Sequence, residues 1–209
     1  MQPVETSEAV RRLLEMPEPE YVFTGVPWPD YVAACGLTEA DVPELLRIVT
    51  HPTLLYGDRL PEADGAWLAA LTELAVQRRD APIHAWRALA QLQAPAALPV
   101  LVALLTARHP EQDDWFAEDL SKAVVAFGEP AVPLLAAGLD QPREAIEPQL
   151  LRSECLAKIG TQHPAARGAC VAANVRALAR CRRAQAELGG YLVASLVELQ
   201  AAEAAEAMV

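Results

Sequence analysis

Apolar residues recur along this chain at helical spacing rather than alternating, and they do so in copies. Ala88-Leu89-x-x-Leu92, Ala123-Val124-x-x-Phe127, Cys155-Leu156-x-x-Ile159 and Ser195-Leu196-x-x-Leu199 stand 35, 32 and 40 residues apart. A second Ala/Leu/Pro-rich run follows each copy. An interval of that length holds two helices, a unit too small to bury its own apolar face and therefore obliged to stack on neighbours. The periodicity predicts helices near 6–16, 28–36, 38–50, 63–79, 82–93, 96–108, 113–127, 130–140, 144–160, 164–182 and 185–200.

Helix punctuation agrees with the repeat. Ala97-Leu98-Pro99-Val100-Leu101 and Ala131-Val132-Pro133-Leu134-Leu135 share a pattern, and Asp41-Val42-Pro43-Glu44-Leu45 is a weaker copy. Proline is tolerated in the first turn, where its missing N–H has no intrahelical acceptor to lose, so each copy marks the start of a second helix. Gly128 and Gly160 follow Phe127 and Ile159 directly. Both are expected to close the preceding helix in a left-handed conformation. Thr38-Glu39-Ala40-Asp41 has the form of a capping sequence. The expected core stripe that follows it is Val42, Leu45, Leu46 and Val49. Gly189-Gly190 falls inside a predicted helix, where it would ease a bend or a close packing contact.

With 53% hydrophobic and 22% charged residues, the chain has a globular rather than a disordered balance. Aromatic residues make up only 5%, which favours close-packed helices over sheets. The expected class is all-α, a single domain over 1–209 with 1–60 as a divergent N-terminal cap. A net charge of -11 repels phosphate backbones and disfavours nucleic acid as a ligand. The first residues lack a secretory pattern and no apolar run is long enough to span a bilayer, so the expectation is a soluble, cytoplasmic protein without a membrane partner. Heavy Ala and Arg use with scarce Lys suggests a bacterial source. Cys35, Cys155, Cys170 and Cys181 show no metal-site spacing and are expected to be free packing thiols.

In its doubled helices, its Ala-x-Pro-x-Leu second-helix openings and its Ala-Leu-x-x-Leu first-helix closes, the chain resembles the HEAT-like repeat proteins. The resemblance covers 80–209 well and 28–79 loosely. It implies a right-handed α-α superhelix of antiparallel helix pairs, with a concave surface lined by the second helices. It also implies a scaffold or adaptor rather than an enzyme, and no cofactor. The alternative is a HEAT-like enzyme or lyase working in the concave groove. Deoxyhypusine-type hydroxylases of this class hold iron with His-Glu pairs, whereas His51, His109 and His163 here each precede proline and His84 precedes Ala85. Alkylpurine DNA glycosylases need a basic groove, and this chain has only Lys122 and Lys158 as lysines. Phycobilin lyases of this class carry no motif to test.

Two constellations are candidate partner-binding sites. His84 and Arg87 share a stripe with Gln91 beside the apolar face of Ile83, Trp86, Leu89 and Ala90, with Trp86 expected in the core. Asp114, Trp115, Glu118 and Asp119, with Glu111 and Asp113 nearby, could offer carboxylates around an aromatic anchor to a basic protein or peptide segment. The same cluster also suits a helix start, where the dipole favours negative charge. Arg176, Arg180, Arg182 and Arg183 form a basic run that could drive contact between copies. The last repeat runs out soon after Leu199, which predicts an exposed apolar stripe near Leu196 and Leu199 and possible self-association through that end. Nucleophile elbows, phosphate-binding glycine loops and metal motifs are not found in the sequence.

Overall fold

The computed structural model describes residues 6–20, 26–51, 54–55, 80–107, 115–141, 146–181 and 185–208. Among these residues the protein is all-helical, with no strand. The α-helices are α1 (Glu8–Leu14), α2 (Tyr31–Cys35), α3 (Val42–Val49), α4 (Asp80–Gln91), α5 (Ala97–Thr106), α6 (Ser121–Val125), α7 (Val132–Leu139), α8 (Ile146–Gln162), α9 (Pro164–Arg180) and α10 (Ala186–Glu198). Short 3-10 turns cover Glu39–Asp41, Glu129–Ala131 and Ala202–Met208, and a π-helical turn covers Trp115–Leu120. The helix expected at 63–79 lies outside the described residues. The chain divides into two compact units, 1–100 and 101–209.

In the first unit α4 is central, packing against α1, α2 and α3. Every residue from Ala81 to Ala90 is buried, so this helix is covered all round despite its His and Arg. A polar knot joins the starts of α1 and α3. Ser7 caps α1 by accepting from the Val10 N–H, and its hydroxyl donates to Asp41 Oδ1 at 2.7 Å. Asp41 Oδ2 accepts from the N–H and hydroxyl of Thr38, completing the capping box expected from the sequence. The Ser7 N–H donates to Glu44 at 3.1 Å.

Burial pushes the Asp41 carboxyl up, but the hydrogen bonds from Ser7 and Thr38 outweigh it and hold the group below its ordinary value of 3.8. A carboxyl held low stabilises the fold above its unfolded pKa, and that stability is lost as pH falls through the folded pKa. The Asp41 carboxyl resonance is therefore expected to titrate below 3.8, and Ser7→Ala to move its midpoint upward. A midpoint at or above 3.8 in the unaltered protein contradicts this.

In the second unit α8 is the hub, packing against α6, α7, α9 and α10. α6 packs on α8, α8 on α10, and α7 on α9. The turn Ala202–Met208 packs on α9 and α10. The repeated positions explain the packing: Ala123, Val124, Cys155, Leu156, Ile159, Ser195 and Leu196 are all buried at these contacts. Small residues at the first position of each copy let neighbouring helices approach closely.

Helix closure also repeats. Five residues beyond the first repeat position, Gln93, Gly128 and Gln200 all have positive φ, at 51°, 65° and 52°. Gln93 and Gln200 close α4 and α10 with the same bond pair: Ala94 N–H to Leu89 C=O with Gln93 N–H to Ala90 C=O, and Ala201 N–H to Leu196 C=O with Gln200 N–H to Val197 C=O. That is the Schellman arrangement, here built on a non-glycine residue.

Gly160 corrects the expectation made for it. It lies inside α8, which runs on to Gln162, and it does not have positive φ. A residue before proline avoids the α conformation, so each helix must end ahead of its next proline. Pro130 follows Gly128 by two residues and Pro164 follows Gly160 by four, which leaves room for the extra half turn. The Gly160 site is a close approach instead: a Cβ there would stand 2.4 Å from Leu199 Cδ2 and 3.2 Å from Cys170 Cβ.

Gly190, by contrast, has nothing within 4 Å of where its Cβ would be, and Gly189 meets only Leu178 at 4.0 Å, so close packing does not explain this pair. Gly190→Ala is expected to stabilise the protein by about 1 kcal/mol, the helix-propensity difference. A lowered thermal midpoint would show a constraint that the open space does not reveal.

The C-terminal expectation is also corrected. Leu196 and Leu199 are buried, and the large apolar residues of α10 that are exposed are Tyr191 and Val197. Covering of this end depends on Arg167. Its Nε and Nη2 donate to the carbonyls of Leu199 and Gln200, both at 2.9 Å, and its Nη1 donates to Glu203 at 2.7 Å. One guanidinium thus satisfies the carbonyls left free at the end of α10 and pins the following turn.

Candidate functional site

His84, Arg87 and Gln91 form the stripe on α4 expected from their spacing, and its counterpart is Tyr31. The Tyr31 N–H donates to Gln91 Oε1 at 2.8 Å, and Gln91 Nε2 donates to the Pro29 carbonyl at 2.8 Å. The Tyr31 hydroxyl is 2.9 Å from His84 Nδ1 and 3.4 Å from Arg87 Nη1. A guanidinium can only donate, so the tyrosine oxygen accepts from Arg87, and the imidazole tautomer sets the direction of the bond between Tyr31 and His84 Nδ1. Arg87 Nη2 donates to the Glu20 carbonyl at 2.9 Å, and its Cζ lies 5.2 Å from the Trp28 ring centroid, within cation–π range.

This cluster sits inside the unit. His84 is 2% exposed and Arg87 is 0% exposed. The sequence reading offered both as partner contacts, but the structure places them in the core, where they clamp α2 and the chain around Glu20 and Trp28 onto α4. The signal missed in the sequence was Pro29-Asp30-Tyr31, a helix start that brings a hydroxyl to a polar stripe. Asp30 caps that start by accepting from the Ala33 N–H.

The acidic cluster does not form one exposed patch among the described residues. Asp114 lies outside them, as do Glu111 and Asp113, and Trp115 is described only as the start of the π-helical turn. Glu118 is partly exposed, whereas Asp119 is 0% exposed. The wide turn delivers Asp119 to the interior just before α6, and the Glu118 carbonyl accepts from the Ser121 hydroxyl at 3.0 Å. Of the two acidic-cluster candidates whose side chains are described, Glu118 is partly exposed and Asp119 is buried.

The second unit holds a buried polar chain that sequence reasoning missed. Ser153 Oγ lies 2.7 Å from both Asn174 Oδ1 and Ser195 Oγ, and Asn174 Nδ2 donates to the Cys170 carbonyl at 3.0 Å. Each hydroxyl has one proton, so Ser153 gives its own to Asn174 and Ser195 gives its own to Ser153. The chain ties α8, α9 and α10 in register. It has no histidine, acid or thiol in it, so it does not form a nucleophilic relay.

The free thiols are Cys35, Cys155, Cys170 and Cys181, the first three of them buried. Burial pushes Cys155 up to about 12 and Cys170 up to about 11, so neither is a thiolate at neutral pH. Among the described residues no three His, Cys, Asp or Glu side chains converge as a metal site. No single described helix is long and apolar enough to cross a membrane.

The exposed face of α7 and α9 is unusually poor in polar residues. α7 contains no charged residue, yet Pro133, Leu134 and Ala137 are exposed, Leu134 at 38%. On α9 the exposed residues include Ala165, Gly168, Ala169 and Ala172, with Arg176 and Arg180 toward its end. Arg180 pairs with Asp140 and also donates to the Leu139 carbonyl. A solvated helix face ordinarily carries charged or polar residues, and this one is apolar over two adjacent helices. No family model, curated protein or solved structure matches this chain.

Proposed function

We propose that this chain is a HEAT-like repeat protein, a right-handed α-solenoid of antiparallel helix pairs that serves as a non-catalytic protein-interaction module. The observation that supports it is the packing order of residues 121–208, with first helices on first helices and second helices on second helices through the shared α8. Repetition of the buried positions, and of a positive-φ residue at the same place in three of the four copies, adds to it. In such an array the second helices line the concave surface, and here that layer is α7 and α9. The exposed apolar face of α7 and α9, which includes Leu134, is the binding surface in this reading, in place of the buried His84 and Arg87. Glu118 remains available as a contact for a basic segment.

The test is affinity capture from native extract with the tagged protein, its Leu134→Glu variant and its Glu118→Lys variant. The expected result is a specifically retained protein whose capture is lost with Leu134→Glu. Capture unaffected by either substitution, or no specific capture at all, would overturn the reading.

A further inference from the structure

We infer that the exposed face of α7 and α9 is the dimerisation surface for a second copy of this chain, the two α9 helices packing antiparallel across a two-fold axis. This rests on the second-helix layer being the interaction surface. Ala165, Ala169, Ala172 and Arg176 follow one face of α9 at helical spacing, and all four are exposed. A two-fold interface sets the same patch against itself. With the axis midway between Ala169 and Ala172, each Ala169 meets the other copy's Ala172, and each Ala165 faces the other copy's Arg176. Methyl-sized side chains at the crossing let the two backbones approach to about 8 Å. Leu134 and Pro133 of the adjoining α7 then flank the contact.

Charge selects a second copy as the occupant. α9 contains no acidic residue, and Arg176 meets no carboxylate among the described residues. Its counterpart lies at the opposite end of the same layer. Glu129 is exposed and follows Gly128, whose Cβ position is 3.0 Å from the ring of His163, the residue that opens α9. Pro164 to Arg176 spans about 18 Å of helix, so inverting one copy brings its Arg176 to the end that carries Glu129 on the other. The layer thus carries small apolar residues in the middle, Arg176 beside the mutually neutralised Arg180–Asp140 pair at one end, and Glu129 at the other. That is the pattern self-complementarity requires, and an unrelated helix would have to reproduce it by coincidence.

Sedimentation velocity of the protein over a micromolar concentration series tests this, with circular dichroism confirming that each variant is folded. The expected result is a concentration-dependent dimer that Ala169→Glu and Leu134→Glu each convert to monomer. Arg176→Glu and Glu129→Lys should each weaken dimerisation roughly tenfold, and the double variant should restore it. A monomer at all concentrations, a dimer indifferent to Ala169→Glu, or a double variant no better than the singles would overturn the inference. A monomer that still captures an extract protein through Leu134 sinks the dimer and leaves the interaction module standing. A dimer that captures nothing does the reverse.

Discussion

Trp86→Ala is expected to lower the stability of the unit formed by residues 1–100 by about 3–5 kcal/mol. Trp86 is among the largest fully buried side chains, on a helix covered from Ala81 to Ala90. α4 is also the element on which α1, α2 and α3 all pack. Removing the indole leaves a cavity that these three helices can close only by shifting together. The Tyr31–His84–Arg87 clamp on the same helix resists that shift, because its distances allow little rotation of α4. Urea denaturation followed by circular dichroism is the check. An unchanged midpoint would mean that α4 is not the core of its unit.

Gly160→Ala should destabilise the second unit by about 1–3 kcal/mol, the range for overpacking a filled core. The added methyl would meet Leu199 Cδ2 at 2.4 Å, Cys170 Cβ at 3.2 Å and the Arg167 backbone at 3.4 Å. Leu199 is buried and cannot simply swing away. Any shift of Arg167 loosens its bonds to the Leu199 and Gln200 carbonyls. Alanine gains about 1 kcal/mol in helix propensity over glycine, so overpacking must exceed that to give the expected sign. The contrast with Gly190→Ala isolates the cause, since both are glycines inside helices and only one has a filled space above it. A Gly160→Ala protein with a raised thermal midpoint would show that the contact between α8, α9 and the C-terminal turn yields freely.

What the sequence revealed and what it concealed divide along physical lines. Helix existence was readable because apolar spacing, first-turn prolines and the Thr38–Asp41 box act within one or two turns, and the structure has Pro43 and Pro133 in the first turns of α3 and α7. The length of the repeat interval underlies the stacking expected of these helix pairs, since a pair of that size needs neighbours to cover it. Burial of polar residues was not readable, because it depends on partners far away in the chain. His84 and Arg87 looked like surface contacts until Tyr31, more than fifty residues earlier, was seen to cover them. Ser195 and Ser153 looked like ordinary small residues until Asn174 joined them. The end of α10 was misjudged for the same reason, since the residue that covers it is Arg167 on another helix. Gly160 is different: its four-residue distance from Pro164, against two between Gly128 and Pro130, is a local signal that the helix runs on.

Methyl–methyl NOEs in a selectively labelled sample test the stacking order most directly. Cross-peaks should link Val124 of α6 with α8, Leu156 of α8 with Leu192 or Leu196 of α10, and Leu135 of α7 with Val171 of α9, tracing one series of neighbours through α8 and a second from α7 to α9. If α8 lacked contacts to α6 and α10, or if α7 packed away from α9, the helices would form a bundle without repeat order, and the solenoid reading would be wrong.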